Sequence, residues 1–377
     1  MKSSISRARL QNSLNSVKVR YALRLIMVIA VILVLLYKLR EKQAITDKVR
    51  ESDGPVAIVI DQNNVKHVYD SQTHPLIFIG GHPRSGTTLM RAMLDAHEFV
   101  RCGEETRILP HLISLRRIFE EPGERPRLIQ GGISDRIIHR AMAAFTLETI
   151  AQHGPPPKVL CNKDPLLLNN GEYVSKLFPK SKWLFMVRDG RAVVHSIVTR
   201  KITISGYSND NPEEALESWN AAVSKMDNQC ELVGHSRCMK VQYEQLVLHP
   251  RSSMEKILKF LNLPWDETVL HHELFVNKGG EHGIRVSNRE RSSDQIIQPI
   301  NIGALTKWVG YYSQDILDRM PLIAPMLPHL GYDPLENPPV FGEPDVEVQN
   351  ITRELELQKN LWEEKAQLML SEMDKNK

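Results

Sequence analysis

The sequence predicts an α/β fold of three layers, in which helices cover both faces of a central parallel sheet. Short apolar segments, such as Leu76–Ile79 and Trp183–Val187, alternate along the chain with helix-like segments, a pattern typical of parallel sheets with both faces buried. Polar motifs follow these segments directly, at the strand ends where such sheets bind ligands. One of these motifs, residues 80–88, is broken by glycine and proline and leads into a helix, as phosphate-binding loops do.

The individual elements follow from the hydrophobic period and from glycine and proline punctuation. Residues 38–72 are predicted to be a polar stem with one apolar burst, Val56–Ile60. In chain order, the predicted elements after the stem are strand Leu76–Ile79, helix Thr88–Ala96, a helix from Ser134 to about His153, strand Lys158–Cys161, strand Trp183–Val187, a helix ending at Arg200, a helix with Pro212 in its first turn, strand Met239–Gln242 and helix Pro250–Leu261.

The loop after the first strand indicates an anion site of an unusual kind. Gly81, Gly86 and Thr88 match the phosphate-loop pattern G-x-x-x-x-G-K-[ST], but Thr87 stands where that pattern has lysine. Backbone N–H groups at the helix start can still cradle an anion, and Arg84 supplies a forked cation inside the loop. We therefore expect a phosphate-type ester other than a nucleoside triphosphate.

The N-terminal residues predict a membrane anchor. Residues 25–37 carry no charge and are almost wholly aliphatic, and they approach bilayer length when the span is counted from about residue 21. Six basic and no acidic residues precede them, which favours a cytosolic N-terminus. A cleaved signal peptide is the rival interpretation, but no small-x-small cleavage site follows. A buried soluble helix is disfavoured because the run is apolar all round.

The predicted organisation is therefore a cytosolic tail over residues 1–24, a transmembrane signal anchor over 25–37, a lumenal stem over 38–72, a catalytic domain over 73–342 and a variable C-terminal tail over 343–377. The tail is expected to form a peripheral helix or a disordered appendage. The chain has 377 residues and a formal net charge of +3. Because residues 1–24 alone carry six positive charges, the remainder is net negative, which argues against nucleic-acid binding by bulk charge.

Four cysteines permit three pairings. A lumenal placement makes disulfides permissible, and Cys102–Cys161 and Cys230–Cys238 are the pairs that we predict, although buried thiols are the alternative. No cysteine or histidine pair has zinc-ligand spacing, so no metal is expected. Asn350 begins one glycosylation sequon, a weak signal.

Several motifs together resemble one family. Pro83–Thr88 resembles the 5′-phosphosulfate loop of sulfotransferases, and Val187–Arg191 with Ser196 resembles their 3′-phosphate motif. Five further segments narrow the resemblance to protein-tyrosine sulfotransferases: Met90–His97, Arg101–Arg107, Cys161–Pro165, Tyr243–Pro250 and Gly303–Val309. The resemblance covers Leu76 to Pro338. It implies the three-layer sulfotransferase fold, the donor 3′-phosphoadenosine 5′-phosphosulfate and, as acceptor, a tyrosine of a secretory-pathway protein.

The resemblance also implies roles for particular residues. Glu105 matches the family's general base, and Arg84, Lys163 and Lys307 are expected to stabilise the leaving phosphate. Ser292 resembles the family's serine that hydrogen-bonds the phosphosulfate. Contacts to the donor are expected from Arg84, Ser85, Gly86, Thr87, Thr88, Arg188, Ser196, Arg200, Tyr243, Ser292 and Lys307. Without the motifs, Glu105 would be read as a capping carboxylate, Lys307 as a solvated charge and Tyr243 as a core aromatic.

Acceptor choice is expected to follow charge, since tyrosines sulfated by this family lie among acidic residues. Arg107, Lys163 and Arg127 are the predicted carboxylate partners. The chain departs from the family at His111, where arginine is expected, and at Gln298, where lysine is expected.

The resemblance and the predicted anchor together lead us to expect a homodimeric enzyme of the Golgi membrane, with a single span in type II orientation. A carbohydrate sulfotransferase with the same donor, or a non-enzymatic nucleotide-binding membrane protein, are the alternatives.

Overall fold

The computed structural model describes residues 25–40, 43, 46, 52–204, 207, 210–278, 283–287, 290 and 292–375. The chain divides into two compact units, Met1–Asp53 and Gly54–Lys377. In the first unit, helix α1 covers residues 25–40. Across the described ranges, no helix has both the length and the apolar character needed to cross a bilayer. The predicted cytosolic tail, residues 1–24, lies outside the described residues, as does the start of the span near residue 21.

A five-stranded parallel sheet organises the second unit, with the strands in the order β4-β5-β3-β6-β7. Strand β3 is central and buried along its whole length, because it pairs with β5 on one side and with β6 on the other. The strands of this sheet are β3 Leu76–Gly81, β4 Val100–Arg101, β5 Val159–Lys163, β6 Lys182–Val187 and β7 Cys238–Gln242.

Helices cover both faces of the sheet. Along β3, Leu76 and Phe78 pack into one hydrophobic cluster, whereas Ile77 and Ile79 pack into another, as the alternating side-chain directions of a strand require. The α-helices are α2 Thr87–Asp95, α3 Ile108–Phe119, α4 Glu124–Gln130, α5 Asp135–Ala151, α6 Gly171–Leu177, α7 Gly190–Thr199, α8 Pro212–Val233, α9 Tyr243–Leu248, α10 Pro250–Leu261, α11 Ser293–Ile296, α12 Gln314–Asp318, α13 Met320–Ile323, α14 Met326–His329, α15 Val346–Leu357 and α16 Lys359–Lys375. The predicted three-layer α/β architecture is confirmed.

Part of the segment expected to be a stem belongs to the folded unit. Strands β1 Val56–Ile60 and β2 Lys66–Asp70 pair as an antiparallel hairpin. The buried Tyr69 donates its hydroxyl to the carbonyl oxygen of Pro157, 2.8 Å away. Ala57 and Val59 are also buried. The apolar burst in the stem is therefore a strand whose inward side chains join the core.

The C-terminal segment is helical, and its first helix packs against the folded unit. Val348 and Thr352 of α15 are buried. The hydroxyl of Thr352 donates to the carbonyl oxygen of Val348 at 2.8 Å and accepts from the backbone N–H of Ile302 at 3.3 Å. Asn350, on the outer side of the same helix, is exposed. Helix α15 therefore supports the segment that leads to Lys307.

Candidate active site

The loop between β3 and α2 has the backbone geometry of an anion cradle. Arg84 and Gly86 both have positive φ, at 75° and 97°. A Cβ on Gly86 would lie 2.5 Å from the ring of Tyr243, so only glycine fits there. The Oγ of Ser85 is buried and, within the part of the chain that the structure describes, has no hydrogen-bond partner. An inserted phosphate or sulfate would meet this hydroxyl and the unpaired N–H groups of the first helical turn.

Arg84 joins three segments that the sequence placed around the donor. Its Nε donates to Ser196 Oγ on α7 at 3.0 Å, and its terminal nitrogens donate to Ser292 Oγ and, at 2.8 Å, to Gln295 Oε1. Only 9% of the Arg84 residue surface is exposed. The guanidinium is thus held within hydrogen-bond reach of two predicted donor contacts, Ser196 and Ser292. Gln295 was not predicted, although it lies three residues after Ser292.

Arg188 follows the C-terminal end of β6 and lies beside the loop. It donates to the carbonyl oxygen of Arg84 at 3.1 Å and to that of Ala304 at 2.9 Å. Its guanidinium stacks over the Tyr243 ring, 4.4 Å from the centroid. Burial, together with the charges of Arg188 and Lys307, lowers the pKa of His195 on α7. Lys307 is itself exposed, and Arg200, at the end of α7, is half-buried. The structure therefore gathers the predicted donor contacts around α7.

A buried carboxyl behind Arg188 escaped the sequence analysis. Glu244 accepts the N–H of Asp189 at 3.0 Å and the hydroxyl of Tyr332 at 2.7 Å. Burial raises its pKa to about 7. Glu244 directly follows Tyr243, and Asp189 directly follows Arg188, so this contact ties the ends of β6 and β7 together. No local pattern marks Glu244, because its partners lie more than 50 residues away.

The predicted base and the predicted catalytic lysine form an ion pair. Lys163, the last residue of β5, has a fully buried side chain, and its Nζ lies 2.7 Å from Glu105 Oε2. The other carboxylate oxygen of Glu105 accepts from Nε of Arg107 at 2.9 Å. A third charge is present: Glu290 Oε1 lies 3.1 Å from the same Nζ. Glu290 was not among the predicted site residues.

The loop that carries Glu105 is fixed at several points. The disulfide Cys102–Cys161, with its Cα atoms 4.1 Å apart, joins the loop to β5, and a second disulfide joins Cys230 on α8 to Cys238 on β7. Asp164 Oδ1 accepts the N–H of Arg107 at 2.9 Å. Burial raises the pKa of Asp164 to about 6. The carboxylate of Glu105 is therefore held at the same sheet edge as the donor loop.

Comparison with known proteins identifies the family. A model described as a sulfotransferase family matches residues 75–267, just over half of the chain. The chain is 53% identical over 296 residues to protein-tyrosine sulfotransferase 2 of Gallus gallus, covering 78% of this chain and 79% of that one. The chain belongs to the protein-tyrosine sulfotransferase family.

Other members are similarly close. The protein-tyrosine sulfotransferase of Drosophila melanogaster is 52% identical over 311 residues, covering 82% of this chain and 62% of that protein. Protein-tyrosine sulfotransferase 1 of Homo sapiens is 45% identical over 316 residues, covering 81% and 85%. Among solved structures, the sulfotransferase domain of the Synechococcus PCC 7002 olefin synthase is 21% identical, with a TM-score of 0.49, covering 70% of this chain and 96% of that one.

In this sulfotransferase, the residues predicted to bind an acidic acceptor are more scattered than the predicted base and the residues predicted to bind the donor. The Arg107 side chain is 71% exposed and contacts Glu105. His111 lies exposed on α3. Arg127 lies on α4 and pairs with Glu124 of the same helix at 3.1 Å. Gln298 follows α11 and is half-buried. Lys163 also adjoins the base, but its side chain is fully buried. Arg107 is therefore the exposed predicted acceptor contact that adjoins the base.

Proposed function

We propose that this enzyme transfers the sulfuryl group of 3′-phosphoadenosine 5′-phosphosulfate to tyrosine hydroxyls in acidic segments of secreted and membrane proteins, with Glu105 as general base. The observation that carries this proposal is the 2.7 Å contact between Glu105 Oε2 and Lys163 Nζ. It places a carboxylate and an ammonium, the groups that such a transfer needs, at one point on the sheet edge.

Donor recognition is assigned to the loop and the cations around it. Ser85 Oγ, the N–H groups at the start of α2, Arg84 and Ser292 fit the phosphosulfate end. Arg188 and Ser196 fit the 3′-phosphate, with Tyr243 and Arg200 beside the nucleotide and Lys307 near the leaving phosphate. The donor supplies an activated sulfuryl group on a good leaving group. The arginine fork suits a phosphate better than a point charge does, because it forms two parallel bonds.

Glu105 acts on the acceptor. A tyrosine hydroxyl has a pKa of ~10 and is a weak nucleophile at neutral pH, so Glu105 Oε2 takes its proton as the phenolic oxygen bonds to sulfur. The bond from sulfur to the 5′-phosphate oxygen breaks, and that oxygen gains negative charge. We assign the stabilisation of this charge to Arg84, Lys163 and the loop N–H groups. Glu105 must then turn from Lys163 to the acceptor hydroxyl, since the two groups serve opposite ends of the same displacement.

Acceptor preference follows from the exposed cation beside the base. Arg107 holds Glu105 with Nε and exposes most of its remaining surface, so it can receive a carboxylate that flanks the acceptor tyrosine. His111 lies exposed one turn further on along α3. We expect acidic tyrosine peptides to be preferred.

Location and assembly complete the proposal. The basic N-terminal flank and the apolar run support a Golgi enzyme anchored once, with its catalytic domain lumenal, and the two disulfides suit that oxidising compartment. Protease added to sealed vesicles should spare the chain beyond about Lys42; digestion of the catalytic motifs without detergent contradicts this topology. Exposed apolar side chains on three neighbouring helices support a homodimer: Ile108, Leu115, Ile118, Ile129, Ile137 and Phe145.

The test of function is acceptor competition. The protein is incubated with donor labelled in its sulfuryl group, an acidic tyrosine peptide, the same peptide with phenylalanine in place of tyrosine, and a sugar acceptor. We expect label in the tyrosine peptide alone. Label in the sugar with none in the peptide would establish the carbohydrate alternative, and donor binding without any transfer would establish the non-enzymatic one.

A further inference from the structure

Glu290 lies against the base and the lysine but belongs to none of the motifs assigned above. Its Oε1 accepts from Lys163 Nζ at 3.1 Å and from the backbone N–H of Glu105 at 2.6 Å. We propose that Glu290 is a positioning residue that keeps Lys163 paired and in place while Glu105 exchanges Lys163 for the acceptor hydroxyl. This inference rests on the proposed function.

The exchange has a physical difficulty that Glu290 removes. Lys163 is completely buried, and a buried ammonium that loses its carboxylate partner is strongly disfavoured. If Glu105 were the sole partner of Lys163, its move to the acceptor hydroxyl would therefore leave a buried ammonium without a counter-charge. Because Glu290 contacts the same Nζ, the ammonium stays paired after Glu105 turns to the acceptor.

The same carboxylate orients the base. The hydrogen bond from the Glu105 N–H to Glu290 fixes the backbone of the residue whose side chain must meet the hydroxyl. Asp164 fixes Arg107 two residues later in the same way, at 2.9 Å. The base is thus held between two buried carboxylates, of which Glu290 also touches the lysine.

Glu290 is an anion in this setting. Among the residues that the structure describes, the charged groups that face it include Lys163 on β5, Arg91 on α2 and Glu105 on its loop, with Arg107 and Asp164 next to Glu105 and Lys163. Burial is the largest single influence and raises the pKa of Glu290, but the charges of Lys163 and Arg91 and the hydrogen bonds from Glu105 and Lys163 together hold that pKa below its ordinary value.

A fixed negative charge has a predictable effect on the lysine. It attracts the ammonium of Lys163 and holds it when Glu105 turns to the acceptor hydroxyl. Glu290→Gln keeps the size and one acceptor oxygen but removes the charge. Turnover should then fall while substrate binding changes little, because the buried lysine loses the partner that holds it during the exchange.

The experiment compares Glu290→Gln and Glu290→Asp with the parent protein across mildly acidic to mildly alkaline pH, with kcat and KM for the tyrosine peptide. Glu267→Gln is the matched control, since it removes an exposed carboxylate that pairs with Arg251. We expect Glu290→Gln to lower kcat at neutral pH by about 10-fold or more, with the KM for the tyrosine peptide little changed. Glu290→Asp keeps the charge, so it should retain more of the parental kcat than Glu290→Gln does.

A kcat for Glu290→Gln equal to that of Glu267→Gln, or no lower than that of Glu290→Asp, would overturn the proposal. If Glu290→Gln does not fold, Glu290→Asp decides: a defect that lies in the KM for the peptide and not in kcat refutes the proposal. Failure of the proposed function is separate, because it appears as parent protein that labels the sugar and not the peptide. In that case kcat and KM of the same variants are measured with the sugar acceptor.

Discussion

Replacing Gly86 with alanine tests the donor loop at its tightest point. Gly86 precedes the first turn of α2 with φ at 97°, a conformation that side chains disfavour. The new Cβ would lie 2.5 Å from Cδ2 and 3.2 Å from Cε2 of Tyr243. The Tyr243 ring would have to move, and that ring lies beneath the guanidinium of Arg188, 4.4 Å away.

The free-energy cost of Gly86→Ala to the folded protein has two parts. The backbone strain is about 1–2 kcal/mol, and displacing a packed ring adds about 1–3 kcal/mol, so the free energy of unfolding should fall by about 2–5 kcal/mol. Gly132 supplies the matched control. Its φ is 84°, but nothing lies within 4 Å of an added Cβ, so Gly132→Ala should carry the strain alone, about 1–2 kcal/mol.

Donor binding separates the two variants further. Movement of Tyr243 displaces Arg188, so Gly86→Ala should bind 3′-phosphoadenosine 5′-phosphate at least about 10-fold more weakly, or about 1.4 kcal/mol, whereas Gly132→Ala should bind it normally. Calorimetric titration gives the affinity, and denaturant unfolding gives the stability. The reasoning is refuted if Gly86→Ala matches Gly132→Ala in both measurements.

Four further predictions concern the base, the donor contact Arg188, the disulfide and a buried carboxyl. Glu105→Ala should lower kcat by about 10²-fold or more with donor affinity nearly unchanged, whereas Arg188→Ala should weaken donor binding by about 1.5–3 kcal/mol; sulfate incorporation and calorimetry test both, and near-normal turnover in Glu105→Ala contradicts the mechanism. Serine at Cys102 and Cys161 together should lower activity more than loss of the other bridge, since this bridge holds the base loop to β5; peptide mapping without reductant checks the pairing. The raised pKa of Glu244, about 7 against an ordinary 4.5, means that its stabilising contribution is fully present below pH 4.5 and is lost as pH rises toward 7. Glu244→Gln should therefore flatten the decline in melting temperature over that window, and an unchanged slope would show that this carboxyl is not the cause.

The sequence predicted well what is local and periodic. Strand β3 and the loop after it were recognisable because a fully apolar run meets glycine and proline punctuation within residues 76–88. The layered sheet followed from the alternation of such runs with helices. Strand β4, by contrast, has two residues, Val100–Arg101, too few for any period to appear.

What sequence reasoning missed depends on contacts between distant residues. Glu290 meets Lys163 across 127 positions, and Arg84 meets Gln295 across 211. A glutamate in a polar segment has the same local pattern whether it is solvated or buried against a lysine. The hairpin β1–β2 was missed for a related reason: Val56–Ile60 was visible as an apolar burst, but the burial of Tyr69 depends on Pro157, which lies 88 positions away.

The packing of α15 limits when Asn350 can be glycosylated during folding. The sequon at Asn350 is defined by the hydroxyl of Thr352, and in the folded protein that hydroxyl is buried and engaged with Val348 and Ile302. A glycosylating enzyme and the folded helix therefore compete for one hydroxyl. Any glycan on Asn350 must be attached before α15 docks. The fraction of chains glycosylated at Asn350 would therefore depend on how quickly the C-terminus folds after synthesis.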